Sequence, residues 1–403
     1  MMQVKVASRL AHTGEYYFSR KLRELAALNT AGANIINLGI GSPDLPPHPS
    51  VTAALAATAA LPTAHGYQGY QGTPTLRGAM AGFYQRHYGV ALNPNAEILP
   101  LLGSKEGLMH VAMTFLEAGD VVLIPNPGYP TYRAVADICG ADVREYDLSA
   151  ATGWLPDLEA LAQADLSRVK VMLVNYPHMP TGTAADLPFL TRLVAFARQH
   201  EILLVHDNPY GFILNETPPI SLLAVPGARE VALELNSLSK SHNLAGWRVG
   251  MLVGRADLVA DVLRFKSNMD SGMFLGVQQA AVVALELGAE WFEELNATYR
   301  ARRELVVELL RAVGCEPAPG QVGLFIWAAV PAGFADGYAL SDAVLAEARV
   351  FLTPGGIFGS NGLGYIRVSL CQPEAVLREA LGRVRSAQEG RPAELAEASL
   401  PQK

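Results

Sequence analysis

The chain has only three cysteines, Cys139, Cys315 and Cys371, and their odd number and wide spacing fit neither a disulfide framework nor a metal-binding motif. It has no run of about 18 apolar residues, as a membrane-spanning helix needs. The N-terminal segment carries charges and lacks the apolar centre of a signal peptide. There is no basic excess either. The net charge of −7 argues against a nucleic-acid surface, which needs clustered Lys and Arg. These absences predict a location in the reducing cytoplasm.

The chain does have the length and the apolar content for a large core. Its 403 residues are 50% hydrophobic, which is enough for two domains. Between residues 97 and 270, short apolar runs at 121–124, 169–174 and 202–205 alternate with helical patterns such as 187–200. The alternation predicts a mostly parallel sheet with helices on both faces. Ligands bind such sheets beyond the carboxyl ends of the strands, where Asn175, Asp207 and Tyr210 stand.

The pattern changes after about residue 285. A long charged helical pattern over 291–313 is followed by apolar runs at 323–327 and 365–369. This order is typical of a smaller α+β unit. The polar stretch 389–403 is expected to be a disordered tail.

Lys240 is the most informative residue for chemistry. It stands in a small-polar turn eight residues before Arg248, and an apolar strand pattern upstream ends in Asp207, three residues before Tyr210. A lysine amine can form an imine with a carbonyl. A carboxylate can pair with the ring nitrogen of a cofactor, and an arginine can bind a phosphate. These residues predict a site for a carbonyl cofactor that bears a ring nitrogen and a phosphate.

Six segments resemble motifs of one family and occur in the family's order. The run 236–250 is similar to its cofactor-lysine signature, 38–44 to its substrate loop, 65–77 to its tyrosine loop and 103–107 to its phosphate loop, and 127–130 and 365–369 also fit. The chain therefore resembles the class I/II aminotransferases, which are fold-type I enzymes dependent on pyridoxal 5′-phosphate (PLP). Residues 103–107 and the lysine run most resemble the alanine and LL-diaminopimelate aminotransferase branches.

The resemblance implies an α/β fold in two domains. A large PLP-binding domain would span residues 46–284, with a mostly parallel sheet covered by helices. A smaller α+β domain would combine residues 1–45 with 285–388. It also implies a homodimer with shared active sites. Tyr67 would reach the phosphate of the neighbouring subunit's cofactor, with Tyr70 as the rival candidate.

The resemblance also assigns roles at the site. Lys240 would form the imine with PLP and carry the proton, Asp207 would pair with the pyridine nitrogen, Tyr210 would donate to the phenolate oxygen and Tyr129 would stack on the ring. Arg367 would bind the substrate α-carboxylate in a two-pronged contact, helped by the backbone amide of Gly41. The phosphate-binding residues would be Ser104, Lys105, Ser237, Ser239 and Arg248, placed where a helix N-terminus favours an anion.

One position departs from the family pattern. Met179 stands in the sequence Met-Pro-Thr-Gly where the family has an asparagine that donates to the phenolate oxygen. Methionine cannot donate a hydrogen bond. Asn175, counted here among the cofactor-binding residues, and His178 are the candidates to replace that donor.

The function that follows is a PLP-dependent aminotransferase acting on an L-amino acid and a 2-oxo acid by a ping-pong mechanism. A PLP-dependent lyase or decarboxylase on the same scaffold is the first alternative, since a fold does not fix a function. A non-enzymatic PLP-binding regulator is the second, although only about 35 residues precede the substrate loop, too few for a DNA-binding module. The motifs leave the amino donor and the acceptor open.

Overall fold

The computed structural model describes residues 4–10, 14–15 and 17–389. Glu389 is the last residue of the final helix, so the expected disordered tail, from 390 onwards, lies outside the described residues. Within the described part, no helix is both long enough and apolar enough to cross a membrane.

The helices of the described part are α1 (Tyr17–Thr30), α2 (Pro49–Ala59), α3 (Pro74–Tyr88), α4 (Ser104–Phe115), α5 (Thr131–Cys139), α6 (Leu158–Ala162), α7 (Leu187–Gln199), α8 (Ala228–Val231), α9 (Leu238–Ser241), α10 (Ala256–Lys266), α11 (Leu275–Leu285), α12 (Ala289–Ala312), α13 (Gly337–Ala348) and α14 (Glu374–Glu389). The strands are β1 (Ile36–Asn37), β2 (Ile98–Leu101), β3 (Val121–Asn126), β4 (Asp142–Asp147), β5 (Val169–Val174), β6 (Leu203–Asp207), β7 (Ala232–Ser237), β8 (Gly250–Gly254), β9 (Phe325–Ala329), β10 (Val350–Phe351), β11 (Thr353–Pro354) and β12 (Tyr365–Ser369).

A seven-stranded sheet in the order β2-β8-β7-β6-β5-β3-β4 forms the centre of the fold. Strands β7, β6, β5, β3 and β4 are parallel to one another, whereas β8 runs antiparallel to both of its neighbours. Both faces are buried. Val171 and Leu173 of β5 pack into one apolar cluster, and Met172 and Val174 pack into another on the opposite face. The predicted mostly parallel α/β sheet is confirmed.

The carboxyl ends of the parallel strands meet at one edge of this sheet. Asp207 ends β6, Asn175 directly follows β5, and Ser237 ends β7 and caps α9. The described β6 begins one residue later and ends two residues later than the predicted run, because Asp207 still pairs in register with Leu235 of β7. The continued pairing holds the Asp207 backbone rigidly at the edge where the cavity opens.

A second group of elements lies around the antiparallel sheet β11-β12-β9. Helices α12 and α13 pack on it, α14 packs against those two helices, and the apolar core of the group includes Leu309, Ile366 and Leu377. Phe18 and Leu38 belong to the same core, so the N-terminal segment packs with the C-terminal part of the chain. The core of this second group therefore contains residues from both ends of the sequence.

The predicted helices agree with the described ones to within two residues at each end. Helix α7 begins after Asp186, whose carboxylate accepts a hydrogen bond from the Phe189 amide at 2.8 Å, a standard helix cap. Helix α12 spans Ala289–Ala312, against the predicted 291–313. Helix α4 begins at Ser104, directly after Gly103, which puts its free amides at the edge of the cavity.

Candidate active site

A cavity of about 540 Å³ lies at the carboxyl edge of the central sheet. It contains twelve of the thirteen residues singled out from the sequence: Gly41, Ser104, Lys105, Tyr129, Asn175, Asp207, Tyr210, Ser237, Ser239, Lys240, Arg248 and Arg367. Tyr67 is the exception, because its side chain is 95% exposed on the surface. Tyr70, its rival, is 46% exposed and does not line the cavity either.

Lys240 lies in α9, the single helical turn that follows β7. Ser237 holds this turn in place, because its hydroxyl accepts a hydrogen bond from the Ser239 amide at 3.1 Å. The Lys240 ammonium donates to the Gly41 carbonyl. Burial lowers the pKa of Lys240, and the charges of Arg367 and Arg248 lower it further. A larger fraction of this amine is therefore neutral, and a neutral amine can attack a carbonyl or accept a proton.

Asp207 presents a carboxylate to the cavity with one oxygen engaged. The Tyr132 hydroxyl donates to Oδ2 at 3.0 Å, whereas Oδ1 is buried and has no hydrogen-bond partner among the described residues. Burial raises the pKa of Asp207 to about 6, although the Tyr132 hydrogen bond and the charge of His206 oppose the shift. A buried oxygen without a partner costs free energy unless a ligand pairs with it. A cationic ring nitrogen would supply such a partner.

Tyr132 was not singled out from the sequence, although it fixes Asp207. It lies in the first turn of α5, three residues after Tyr129, and the two rings meet edge to face at 5.5 Å. The available signal was the pair of tyrosines in the segment Tyr129-Pro-Thr-Tyr132, which puts both rings on one side of a helix start. Burial raises the pKa of Tyr132, so its hydroxyl stays protonated and donates.

The opposite end of the cavity is suited to an anion. Ser104 opens the twelve-residue helix α4, and the hydroxyls of Ser237 and Ser239 lie 2.9 Å apart beside it. Lys105 and Arg248 add two positive charges, and burial together with the charge of Arg248 lowers the pKa of Lys105. Free helix amides, hydroxyls and two cations at one place are the groups that favour binding of an anion such as a phosphate.

Gly103 allows this end of the cavity to form. Its φ of +89° suits glycine, and a Cβ at this position would collide with the guanidinium of Arg248. Gly41 is needed for a related reason, because a Cβ there would collide with the ring of Phe325. Its backbone carbonyl accepts a hydrogen bond from Lys240, and Gly41 lines the cavity. That its amide binds the substrate carboxylate stays a prediction.

Arg367 lies at the other end of the cavity, in the middle of β12. One guanidinium nitrogen donates to the Gly39 carbonyl at 2.8 Å. The rings of Phe325, Phe358 and Phe18 surround the guanidinium, with centroids 3.8, 4.6 and 5.4 Å from its central carbon. Contacts with aromatic faces favour a desolvated cation and hold its plane in one orientation. Such a cation is suited to a carboxylate.

The Met179 side chain contacts the charged guanidinium of Arg367. Its sulfur accepts a hydrogen bond from the second terminal nitrogen of Arg367 at 3.1 Å, and the side chain is buried. Asn175 is bonded at both ends of its amide, because its nitrogen donates to the Asp207 carbonyl and its oxygen accepts from the Met179 amide at 2.8 Å. His178 bonds to Thr181 at 2.8 Å and is not among the residues that line the cavity. Of the two candidate replacements for the family asparagine, only Asn175 faces the cavity.

Tyr210 lines the cavity beside Phe325. Its ring meets that of Phe325 edge to face at 6.0 Å. Burial raises the pKa of Tyr210, which keeps its hydroxyl protonated near neutral pH. The hydroxyl is thus available as a hydrogen-bond donor to an anionic oxygen.

The sheet topology and the cavity at its carboxyl edge are those of a fold-type I α/β enzyme, and the comparisons with solved structures agree. The chain belongs to the aminotransferase class I and II family, whose sequence profile matches residues 33–384. It is an aminotransferase, as its family and its relatives are.

Two relatives and one solved structure illustrate the similarity. The LL-diaminopimelate aminotransferase of Dehalococcoides mccartyi strain BAV1 is 39% identical over 94% of this chain and 98% of its own length. The enzyme of the same name from Desulforudis audaxviator is 41% identical over 94% of this chain and 97% of its own. The substrate-bound structure of BacF from Bacillus subtilis superposes with a TM-score of 0.91 at 36% identity, covering 96% of this chain and 98% of that one.

Proposed function

We propose that the cavity binds PLP and that the chain transfers an amino group from an L-amino acid to a 2-oxo acid in a ping-pong reaction. PLP supplies an electrophilic carbon and an electron sink for negative charge at the substrate Cα. One observation carries the proposal: the buried Lys240 amine and the unpaired Oδ1 of Asp207 line a single cavity that has an anion-binding end.

The residues present fit this cofactor. Oδ1 of Asp207 lacks a partner within the described chain, which matches a protonated pyridine nitrogen. The absence of a side chain at Gly103 brings Arg248 against the N-terminus of α4, which matches a phosphate. Ser104, Lys105, Ser237 and Ser239 line that end of the same cavity, and Tyr129, Asn175 and Tyr210, which also line it, would contact the cofactor ring.

The chain's own groups perform the proton transfer and the binding. Lys240 Nζ takes the proton from the substrate Cα, and its lowered pKa keeps it able to do so. Arg367 holds the α-carboxylate with its two terminal nitrogens, which would exchange their present acceptors for carboxylate oxygens. Tyr210 donates to the phenolate oxygen. The apolar rings around Arg367 exclude water from the carboxylate contact.

The proposed assembly is a cytoplasmic homodimer. The exposed ring of Tyr67 lies on the loop before α3, beside the bridge between Gln68 and Gly272. An aromatic side chain that is 95% exposed is available to enter a second subunit's cavity. We divide each subunit into a large domain, 46–284, and a small domain of 1–45 with 285–388, since the N-terminal residues Phe18 and Leu38 share the core of the C-terminal elements.

The same residues could serve a lyase or a decarboxylase, but the family and the quoted relatives carry aminotransferase names. The decisive experiment mixes the PLP-loaded protein with an amino acid in the absence of any oxo acid. Transamination converts the cofactor stoichiometrically to its amine form, with loss of the visible absorbance and release of one 2-oxo acid per site. Lys240→Ala should abolish the conversion, and Lys170→Ala, a lysine outside the cavity, should leave it intact. Release of carbon dioxide or of a cleaved side chain without cofactor conversion would overturn the proposal.

A further inference from the structure

The cavity wall includes a group of apolar residues that have no proposed role in holding the cofactor. This group, called the apolar wall, consists of Phe18, Leu22, Ile40, Met179, Phe325 and Phe358. Its members come from α1, the loop after β1, the loop after β5, β9 and the segment before β12. All of them are uncharged. They define the space that remains for a substrate's side chain.

The apolar wall surrounds the proposed carboxylate anchor. Phe18, Phe325 and Phe358 contact the Arg367 guanidinium, and the Phe18 and Phe358 rings lie 6.4 Å apart. Leu22 follows Phe18 by four residues in α1, so the two side chains lie on one face of the helix. A substrate whose carboxylate is bound at Arg367 must therefore place its side chain near these carbon atoms.

The charged groups that line the cavity already have partners or proposed roles. Among the described lining residues they are Lys105, Asp207, Lys240, Arg248 and Arg367. Lys105 and Arg248 lie at the α4 end, away from the apolar wall.

A nearby carboxylate outside the cavity lining, that of Asp44, is already paired with an arginine. Asp44 follows the Gly41 loop, and Arg302 binds both of its oxygens at 2.6 and 2.8 Å. Asp44 would have to lose its ion pair with Arg302 in order to bind the ammonium group of a substrate side chain. A second charge on a substrate side chain would be desolvated against the wall, where the described lining of this chain offers no further counter-ion and the group proposed to enter from a second subunit, Tyr67, is uncharged. Burying an unpaired charge is costly.

We propose that this enzyme selects amino acids and oxo acids with apolar or aromatic side chains, and that Phe18 and Leu22 are specificity-determining residues. The inference rests on the proposed function. It separates this chain from its relatives named for LL-diaminopimelate, a substrate with an ammonium and a carboxylate at its far end. Apolar side chains are stabilised at the wall because burying their surface there removes it from water.

The first test is the cofactor conversion described above, measured with L-phenylalanine, L-leucine, L-glutamate and LL-diaminopimelate. The expected kcat/KM for the two apolar amino acids is at least about tenfold higher than for the two charged ones, equivalent to 1.4 kcal/mol. An equal or higher value for either charged substrate overturns the inference and leaves the aminotransferase proposal standing. Absence of conversion with all four amino acids, and with a wider panel, would instead count against the proposed function.

A binding measurement gives a readout independent of turnover. The PLP-loaded protein is titrated by calorimetry with 3-phenylpropanoate and with glutarate, carboxylates that have no amine to react. Tighter binding of 3-phenylpropanoate by about tenfold or more is expected from the apolar wall. Tighter binding of glutarate would overturn the inference.

A matched pair of variants tests the role of α1. Leu22→Lys introduces a cation into the apolar wall, and Leu28→Lys introduces one on the same helix outside the cavity; the two leucines are 42% and 38% exposed. Leu22→Lys should lower the ratio of phenylalanine to glutamate kcat/KM by about tenfold, and Leu28→Lys should leave it unchanged. An unchanged ratio in Leu22→Lys, with a melting temperature equal to that of Leu28→Lys, would exclude Leu22 as a specificity residue.

Discussion

The two ends of the cavity are built in different ways. The anion-binding end comes from Gly103 to Lys105 and from Ser237 to Arg248, segments that lie at the ends of neighbouring elements of the central sheet. The Arg367 end draws on residues near positions 18, 39, 179, 325, 358 and 367, which are spread over the whole chain. One end is polar and the other is aromatic.

This difference indicates how the two ends can vary. The anion-binding end depends on backbone geometry, as the collision of a Gly103 Cβ with Arg248 shows, so it admits few substitutions. The Arg367 end also needs a glycine, because a Cβ at Gly41 would collide with Phe325, but its contacts with the guanidinium come mostly from side chains of α1, β9 and the segment before β12, outside the central sheet. We infer that the cofactor end is constrained by its backbone and that the substrate end can change with the substrate.

Arg248→Ala should have the largest effect of these variants, and the effect should be confined to the anion-binding end. Each charge-assisted hydrogen bond that is lost contributes about 1.5–3 kcal/mol, so PLP affinity should fall by roughly 10- to 150-fold. Fluorescence titration of the apoprotein with PLP measures the change. The ratio of kcat/KM values between different amino acids should stay constant at saturating PLP. A changed ratio would mean that Arg248 contacts the substrate and that the two ends are not separate.

The anion-binding end could be predicted from the sequence, and the apolar wall could not. Short motifs identify Ser104, Lys240 and Arg248 because their spacing fixes a helix start or a turn locally. Phe18 and Phe358 have no local signal, since their approach to Arg367 depends on the packing of α1 and of a distant segment. The motif did identify Met179 as unusual, but its contact with Arg367 depends on the tertiary fold.

The strands of the central sheet show the same limit to prediction from the sequence. Apolar runs revealed β3, β5 and β6, which are buried on both faces. Strand β4 escaped detection because its sequence, Asp-Val-Arg-Glu-Tyr-Asp, is largely charged, as suits the exposed edge of a sheet. Its pairing with β3 is set by the fold and not by its own hydrophobicity.

Arg367→Lys tests the substrate end. Lysine keeps the charge but loses the planar fork that contacts Gly39, Met179 and the aromatic rings. Binding of both the amino acid and the oxo acid should weaken by about tenfold, because both carry the same carboxylate and lose one charged hydrogen bond. Both half-reactions, measured separately, report the effect, and PLP affinity should not change. An effect on only one of the two substrates would show that Arg367 reads a side chain.

In the proposed homodimer, Tyr67 would add a group from a second subunit to the anion-binding end. Lys240→Ala and a Tyr67 variant that is severely impaired by itself should regain part of the activity when mixed, since one of the two sites in a heterodimer then has both groups. Each variant incubated alone is the control, and Tyr70→Ala replaces the Tyr67 variant to test the rival. No recovery after verified subunit exchange would mean that each site is built from a single chain.

Met179 belongs to the Arg367 end, but the family residue at this position acts on the cofactor. Its substitution gives the smallest expected effect. The family asparagine donates to the cofactor's phenolate oxygen, whereas the Met179 sulfur accepts from Arg367 at 3.1 Å. With PLP bound as proposed, the anionic oxygen would then depend on Tyr210, because Asn175 is already bonded to the Asp207 carbonyl and the Met179 amide. A donor to that oxygen stabilises the anion and favours loss of the proton from the Lys240–PLP linkage.

Met179→Asn should therefore lower the pKa of this linkage. One charge-assisted hydrogen bond contributes about 1.5–3 kcal/mol, and about 1.4 kcal/mol corresponds to one pKa unit. The expected decrease is on the order of one unit, and less if a water molecule already donates to the oxygen. A spectrophotometric pH titration measures it. Met179→Leu, which removes the sulfur contact to Arg367 but adds no donor, should keep the wild-type pKa and weaken only carboxylate binding. Equal pKa values in the asparagine and leucine variants would mean that position 179 acts on Arg367 alone and belongs to the substrate end.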